Sequence, residues 1–210
     1  MPSSVMLPII GLLYIVVFGG LSLLRREGLS FRFAVEAVIL TVMVTLLALL
    51  NLWQMNPILF LILLYLVTMR VRLLVDIGNL LARRGSHRAA ATIYRLARRL
   101  WPDDAGRLIV TINQGVLSLQ TGHPDDAITT FKQVLAEAAG GYLSAKHESG
   151  CHYNLAVAYQ RSGLDAQAAL EFNAVLDTWP DTEYARRAEA ALARRRKGVT
   201  SHEQDVTSQE

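Results

Sequence analysis

The chain has 210 residues, 52% hydrophobic and only 19% charged, with a mean hydropathy of +0.28, where an average soluble domain carries about 25% charged residues. Of its 21 basic and 18 acidic residues, five lie in the first 69 positions, which excludes one uniformly soluble domain and describes two parts in two solvents. A single cysteine, Cys151, excludes an internal disulfide framework, the net charge of +3 is mild, and 18 arginines against three lysines point to a GC-rich, bacterial coding sequence.

Residues 1–24 carry no charge, and 5–24 give a run of 20 mostly apolar residues, enough at about 1.5 Å each to cross a hydrocarbon core of about 30 Å. A cleaved signal peptide needs a cationic start and a small-residue cleavage site; MPSSVMLP has no Lys or Arg and GGLSLLRRE no A-x-A pattern. Residues 37–69 are again uncharged, about 50 Å as one helix, but NLWQMNP at 51–57 places Asn51, Gln54, Asn56 and Pro57 in the middle and predicts a tight hairpin. The predicted membrane anchor is therefore residues 1–70, with spans at about 5–24, 33–52 and 58–75. Glu36, four residues after Arg32, reads as an interfacial i,i+4 pair. Tyr14, Gly19, Gly20, Thr41 and Thr45 are the residues suited to helix contacts within a bilayer.

Charge bias supports three spans. Arg25, Arg26 and Arg32 precede the second span, the hairpin is uncharged, and Arg70, Arg72, Arg83 and Arg84 follow the third. Three crossings put both arginine clusters on the cytoplasmic side, as positive-inside orientation requires, with Arg70 and Arg72 snorkelling to the headgroups. Apart from Gly78, nothing in 58–84 interrupts a helix, so the third span is predicted to run without a break into the next helix.

Beyond the anchor the sequence repeats. Aligning 83–103, 120–140 and 161–181 brings Gly85, Gly122 and Gly163 into register, then Ala90, Ala127 and Ala168, then Tyr94, Phe131 and Phe172, then Ala97, Val134 and Val175. Pro102, Ala139 and Pro180 follow, and Gly78, Gly115 and Ala156 lie seven residues before the glycines. Small residues on paired helices allow close approach, with the aromatic expected to fill the gap to the next copy, and proline ends the second helix.

This pattern resembles the tetratricopeptide repeat (TPR), a helix-turn-helix unit of about 34 residues. The resemblance covers 71–182 and implies an all-α fold: three N-terminal transmembrane helices, then a three-repeat TPR α-solenoid with a C-terminal cap helix, the TPR domain running over 71–197. It departs from the family at the usual tryptophan, replaced by Leu74, Thr111 and His152, and in its longer glycine spacing; 138–150 is an extended loop or a lengthened helix end. Tyr184, Ala188, Ala191 and Leu192 fall on one face of the expected cap helix, and the polar tail 198–210 is expected to be disordered.

Catalysis finds no motif. GGLS at 19–22 lacks the second glycine of G-x-S-x-G, no histidine precedes His87, and neither a P-loop nor a G-x-G-x-x-G run occurs. HESGCH places His147, Cys151 and His152 together, but adjacent helical residues point about 100° apart and do not converge on a metal, so no metal or cofactor is expected. Residues 70–107 hold nine arginines against three aspartates. This basic collar of Arg70, Arg72, Arg83, Arg84 and Arg88 suits anionic headgroups rather than nucleic acid, for which it has no interleaved aromatics. RRRK at 194–197 reads as the end of the cap helix, complementing its dipole.

Binding is where the resemblance is informative. TPR groove positions correspond to Asn79, Arg83, Asn113, Gln120, Tyr153, Asn154, Gln160 and Arg161. Asparagine amides at Asn113 and Asn154 can grip an extended peptide backbone whatever its sequence, and Arg83 and Arg161 can meet acidic side chains. The expectation is a multi-pass protein of a bacterial inner membrane whose cytoplasmic TPR groove recruits protein partners, as a scaffold or assembly factor and not an enzyme. The alternative is a constitutive structural subunit of a larger membrane complex, of the respiratory, photosynthetic, secretion or exopolysaccharide kind, held mainly by its transmembrane helices.

Overall fold

A computed structural model describes residues 3–24, 31–141 and 143–207, and among them the regular structure is entirely α-helical, with ten helices and no strand. The chain divides into two compact units, Met1–Val110 and Thr111–Glu210.

The first unit opens with α1 (Ser3–Leu24), α2 (Phe31–Leu49) and α3 (Pro57–Thr68), packed around Leu7, Tyr14, Phe33, Val44, Phe60 and Leu64. At Gly11 a Cβ would stand 2.3 Å from Thr41 Oγ1, so α1 and α2 approach there as only glycine allows, whereas Gly20 faces open space and makes no such contact. Thr68 donates to Leu64 O at 2.8 Å, which leaves its oxygen to accept from the Tyr14 hydroxyl at 2.7 Å and ties α1 to the end of α3. The hairpin is built from its two asparagines. Asn51 takes the left-handed conformation (φ +53) that ends α2, and Asn56 caps α3 by accepting from Ile58 N at 2.8 Å, with Pro57 in the first helical turn.

The spans differ from expectation. One helical window, Arg32–Leu49, is long and apolar enough to cross a membrane by itself; Val5–Leu21 is apolar but shorter, and α3 qualifies only jointly with α4 (Arg70–Arg83), from which it is bent by 72°. The predicted uninterrupted helix through 58–84 is therefore broken, at Met69 (φ −102, ψ 9). Neither glycine nor proline is responsible. Arg70 reaches Glu36 of α2 through two bonds of 2.5 and 2.8 Å, and also donates to Val67 O at 2.6 Å and Leu100 O at 3.2 Å. A guanidinium beside an apolar bundle needs such partners, and the chain turns to reach them, so the Arg70 side chain is half-buried against Glu36. Glu36 also keeps its predicted pair with Arg32, at 2.9 Å.

Three helix pairs follow: α4 with α5 (His87–Arg99), α6 (Asp104–Gln120) with α7 (Pro124–Ala138), and α8 (Ala145–Arg161) with α9 (Asp165–Thr178). Their turns are equivalent. Gly85, Gly122 and Gly163 all take the left-handed conformation, with φ of +78°, +82° and +75°. After each glycine the next amide reaches back five residues, Ser86 to Leu81, His123 to Ser118 and Leu164 to Tyr159, at 2.8–2.9 Å, which satisfies the last carbonyls of the first helix. The aligned alanine, aromatic and valine or alanine positions are buried in all three copies. A Cβ at Gly78 would stand 2.3 Å from the Tyr94 ring, and one at Gly115 would stand 2.8 Å from Phe131. In the first two copies the aromatic thus rests on the glycine of its own pair, and in the third Phe172 shares a core with the following helix, α10 (Glu183–Thr207).

Ala138 ends α7, residues 139–144 connect it to α8 with Gly141 left-handed, and 145–150 lengthen α8; Tyr142 lies outside the described residues. α10 (Glu183–Thr207) sets Ala185, Ala188 and Ala191 into the core formed by Ala156, Ala168, Phe172 and Val175, as a cap helix should. It continues past Gly198 to Thr207, so most of the tail expected to be disordered is helical, there being no proline to stop it; 208–210 lie outside the described residues. RRRK consequently sits within the helix and not at its dipole end.

Candidate partner-binding site

The expected groove residues fall in both units. In the first, Asn79 and Arg83 lie on α4. Asn79 is half-buried, its carboxamide oxygen accepting from the Tyr94 hydroxyl at 2.6 Å, and burial pushes that hydroxyl above its ordinary pKa; Arg83 is exposed. The remaining collar members, Arg72, Arg84 and Arg88, are exposed as well, so Arg70 alone is drawn inward.

In the second unit, Asn113 is half-buried on α6 and Gln120 exposed at its end. Asn154 donates to Gly150 O, one turn back on α8, at 2.8 Å. Tyr153 packs its ring 5.8 Å from Phe172 and 5.4 Å from Tyr184, making it a bridge from α8 to α9 and α10. Gln160 is exposed, while Arg161 donates to Leu119 O at 2.5 Å and so caps the C-terminal end of α6. Ser162 adds a bond to Asp125 at 3.0 Å, fastening the end of α8 to the start of α7. Tyr153 and Arg161 thus hold the fold together, and Arg83, Gln120 and Gln160 present exposed polar groups.

HESGCH does not converge. Cys151 points inward, its Sγ 3.7 Å from Phe131 O, and burial, with Glu171 and Glu148 adding to it, pushes the thiol up to about 12. His152 turns to Glu171 at 2.7 Å. Among the described residues no group of three or more His, Cys, Asp or Glu side chains could hold a metal ion.

Sequence reasoning missed the Glu36–Arg70 pair. Its signal was available: Glu36 is the one acidic residue between positions 28 and 69, and an isolated carboxylate at the edge of an apolar helix requires a cation. Arg32 met that need locally, which hid the second partner. No family model matches the chain, and neither the curated proteins nor the solved structures supply a match.

Proposed function

We propose that this protein is a membrane-anchored TPR scaffold or assembly factor that recruits other proteins to a bacterial inner-membrane complex through a cytoplasmic helical groove, without covalent chemistry of its own. The observation that carries this reading is the threefold recurrence of one helix-turn-helix, with its left-handed glycine and its set of buried small and aromatic residues in register. Repeats of this kind present one extended face for binding.

The anchor rests on a second observation. Leu12, Val16, Ile39, Val42, Leu46, Leu59 and Ile62 are all exposed, and only 28% of the Arg32–Leu49 window is buried, whereas the core helix of a soluble protein would be mostly covered. In this reading α1–α3 lie in the bilayer, the 50–56 turn faces outward, and Arg72, Arg83, Arg84 and Arg88 meet anionic headgroups. Asn154 uses one amide hydrogen on Gly150 and retains its other hydrogen and its oxygen for a peptide backbone, with Asn113 at the matching position of the preceding repeat.

A constitutive structural subunit is the second reading, favoured by the engagement of Asn79, Tyr153 and Arg161 inside the fold. Crosslinking of the full chain in its native membrane separates the two. A recruiter loses its partners when Asn113 and Asn154 are both changed to alanine and keeps them when residues 1–69 are replaced by an unrelated anchor; a structural subunit does the reverse. Retention of every partner by the double asparagine variant overturns the groove.

A further inference from the structure

Trp101, between α5 and α6, is 78% exposed and takes the left-handed backbone conformation (φ +47). Bulky residues avoid that region. The loop is nevertheless fastened on both sides: Arg70 donates to Leu100 O at 3.2 Å, and Asp103 begins α6 by accepting from Gly106 N through its side chain and from Arg107 N through its carbonyl, both at 2.8 Å. The indole is held outward by its anchors. The same tripeptide recurs as Trp179, Pro180 and Asp181, yet there the tryptophan has an extended φ of −158 and is 37% exposed. The outward turn belongs to the place and not to the tripeptide.

That place is set by Arg70. The guanidinium that holds Leu100 also holds Glu36, at the point on α2 where the apolar run of 37–50 begins, and Arg32 joins the same carboxylate. Leu100 therefore lies at the level where the apolar bundle gives way to charge. An indole, with an apolar ring and one N–H donor, settles at that depth of a bilayer. Arg95, Arg98 and Arg99 on the helix leading into the loop favour an anionic surface. At the opposite end of the bundle, in the 50–56 turn, Trp53 is exposed as well.

We infer that Trp101 is an interfacial lipid anchor, its indole entering the headgroup layer of the bilayer that holds α1–α3 and pinning the α4–α5 pair to the membrane surface. The inference rests on reading α1–α3 as membrane helices. To test it, the full chain is reconstituted into phosphatidylcholine–phosphatidylglycerol vesicles in two forms: Trp53→Phe with Trp179→Phe leaves Trp101, and Trp101→Phe with Trp179→Phe leaves Trp53. Trp101 emission is expected to be blue-shifted, quenched by lipid brominated high on the acyl chain, and shielded from iodide. Water-like emission open to iodide, with Trp53 still quenched by the brominated lipid, overturns the anchor while sparing the membrane reading. If neither tryptophan is quenched, the membrane reading falls and the anchor with it. Should a double variant misfold, the difference emission between the unsubstituted chain and Trp101→Phe alone reports the same indole.

Discussion

Cys151 is fully buried below the Phe131 carbonyl, with its thiol pushed up to about 12. An unfolded thiol titrates near 8.5, so the folded state holds this proton more tightly, and the resulting stability is complete below pH of about 8.5 and lost as pH rises toward about 12. Native protein at pH 9 should therefore resist alkylation by iodoacetamide, while protein unfolded in guanidinium reacts fully; rapid alkylation of the native chain would contradict the burial. At this scale the sequence was legible where partners are close in the chain. Glu36 paired with Arg32 follows from helical spacing. Asn79 bonding Tyr94, fifteen residues away, and Arg161 reaching Leu119, forty-two away, do not.

The repeat glycines serve two separate purposes, and substitution separates them. Gly122 is left-handed with open space around it, so Gly122→Ala should cost roughly 1–2 kcal/mol through backbone strain alone. Gly115 is helical but faces Phe131 at 2.8 Å, so Gly115→Ala overpacks the pair by about 1–3 kcal/mol. Urea unfolding of the full chain in detergent should show Phe131→Leu recovering part of the Gly115→Ala loss and none of the Gly122→Ala loss. Equal recovery in both would mean that the two glycines share one role. The glycine register, the prolines after α5 and α9 and the apolar faces made these pairs visible in the sequence, because each is a local pattern. The ends of α3 and α10 were not visible. The break at Met69 has no helix-breaking residue to mark it, and the stretch after Gly198 that extends α10 is polar in sequence, with no apolar periodicity to announce a helix.

Taken whole, the chain joins an apolar bundle to a series of helix pairs, and its mild net charge conceals a basic segment over 70–107 and a more acidic one beyond. The proposed orientation puts the 50–56 turn outside the cell. In a Cys151→Ala background, Gln54→Cys should react with an impermeant maleimide added to intact spheroplasts; reaction only after lysis would sink the arrangement of α1–α3. The sequence by itself determined the helical class, the apolar segments, the hairpin asparagines and the three turns, since each depends on side chains within about one helical turn or on the local solvent preference of a short run. Only the tertiary structure decided that Arg70 turns inward, that the helix breaks beside it and that Trp101 is held outward. Those features hang on a carboxylate thirty-four residues before Arg70 and a carbonyl thirty residues after it, and no local pattern encodes which distant group will satisfy a charge.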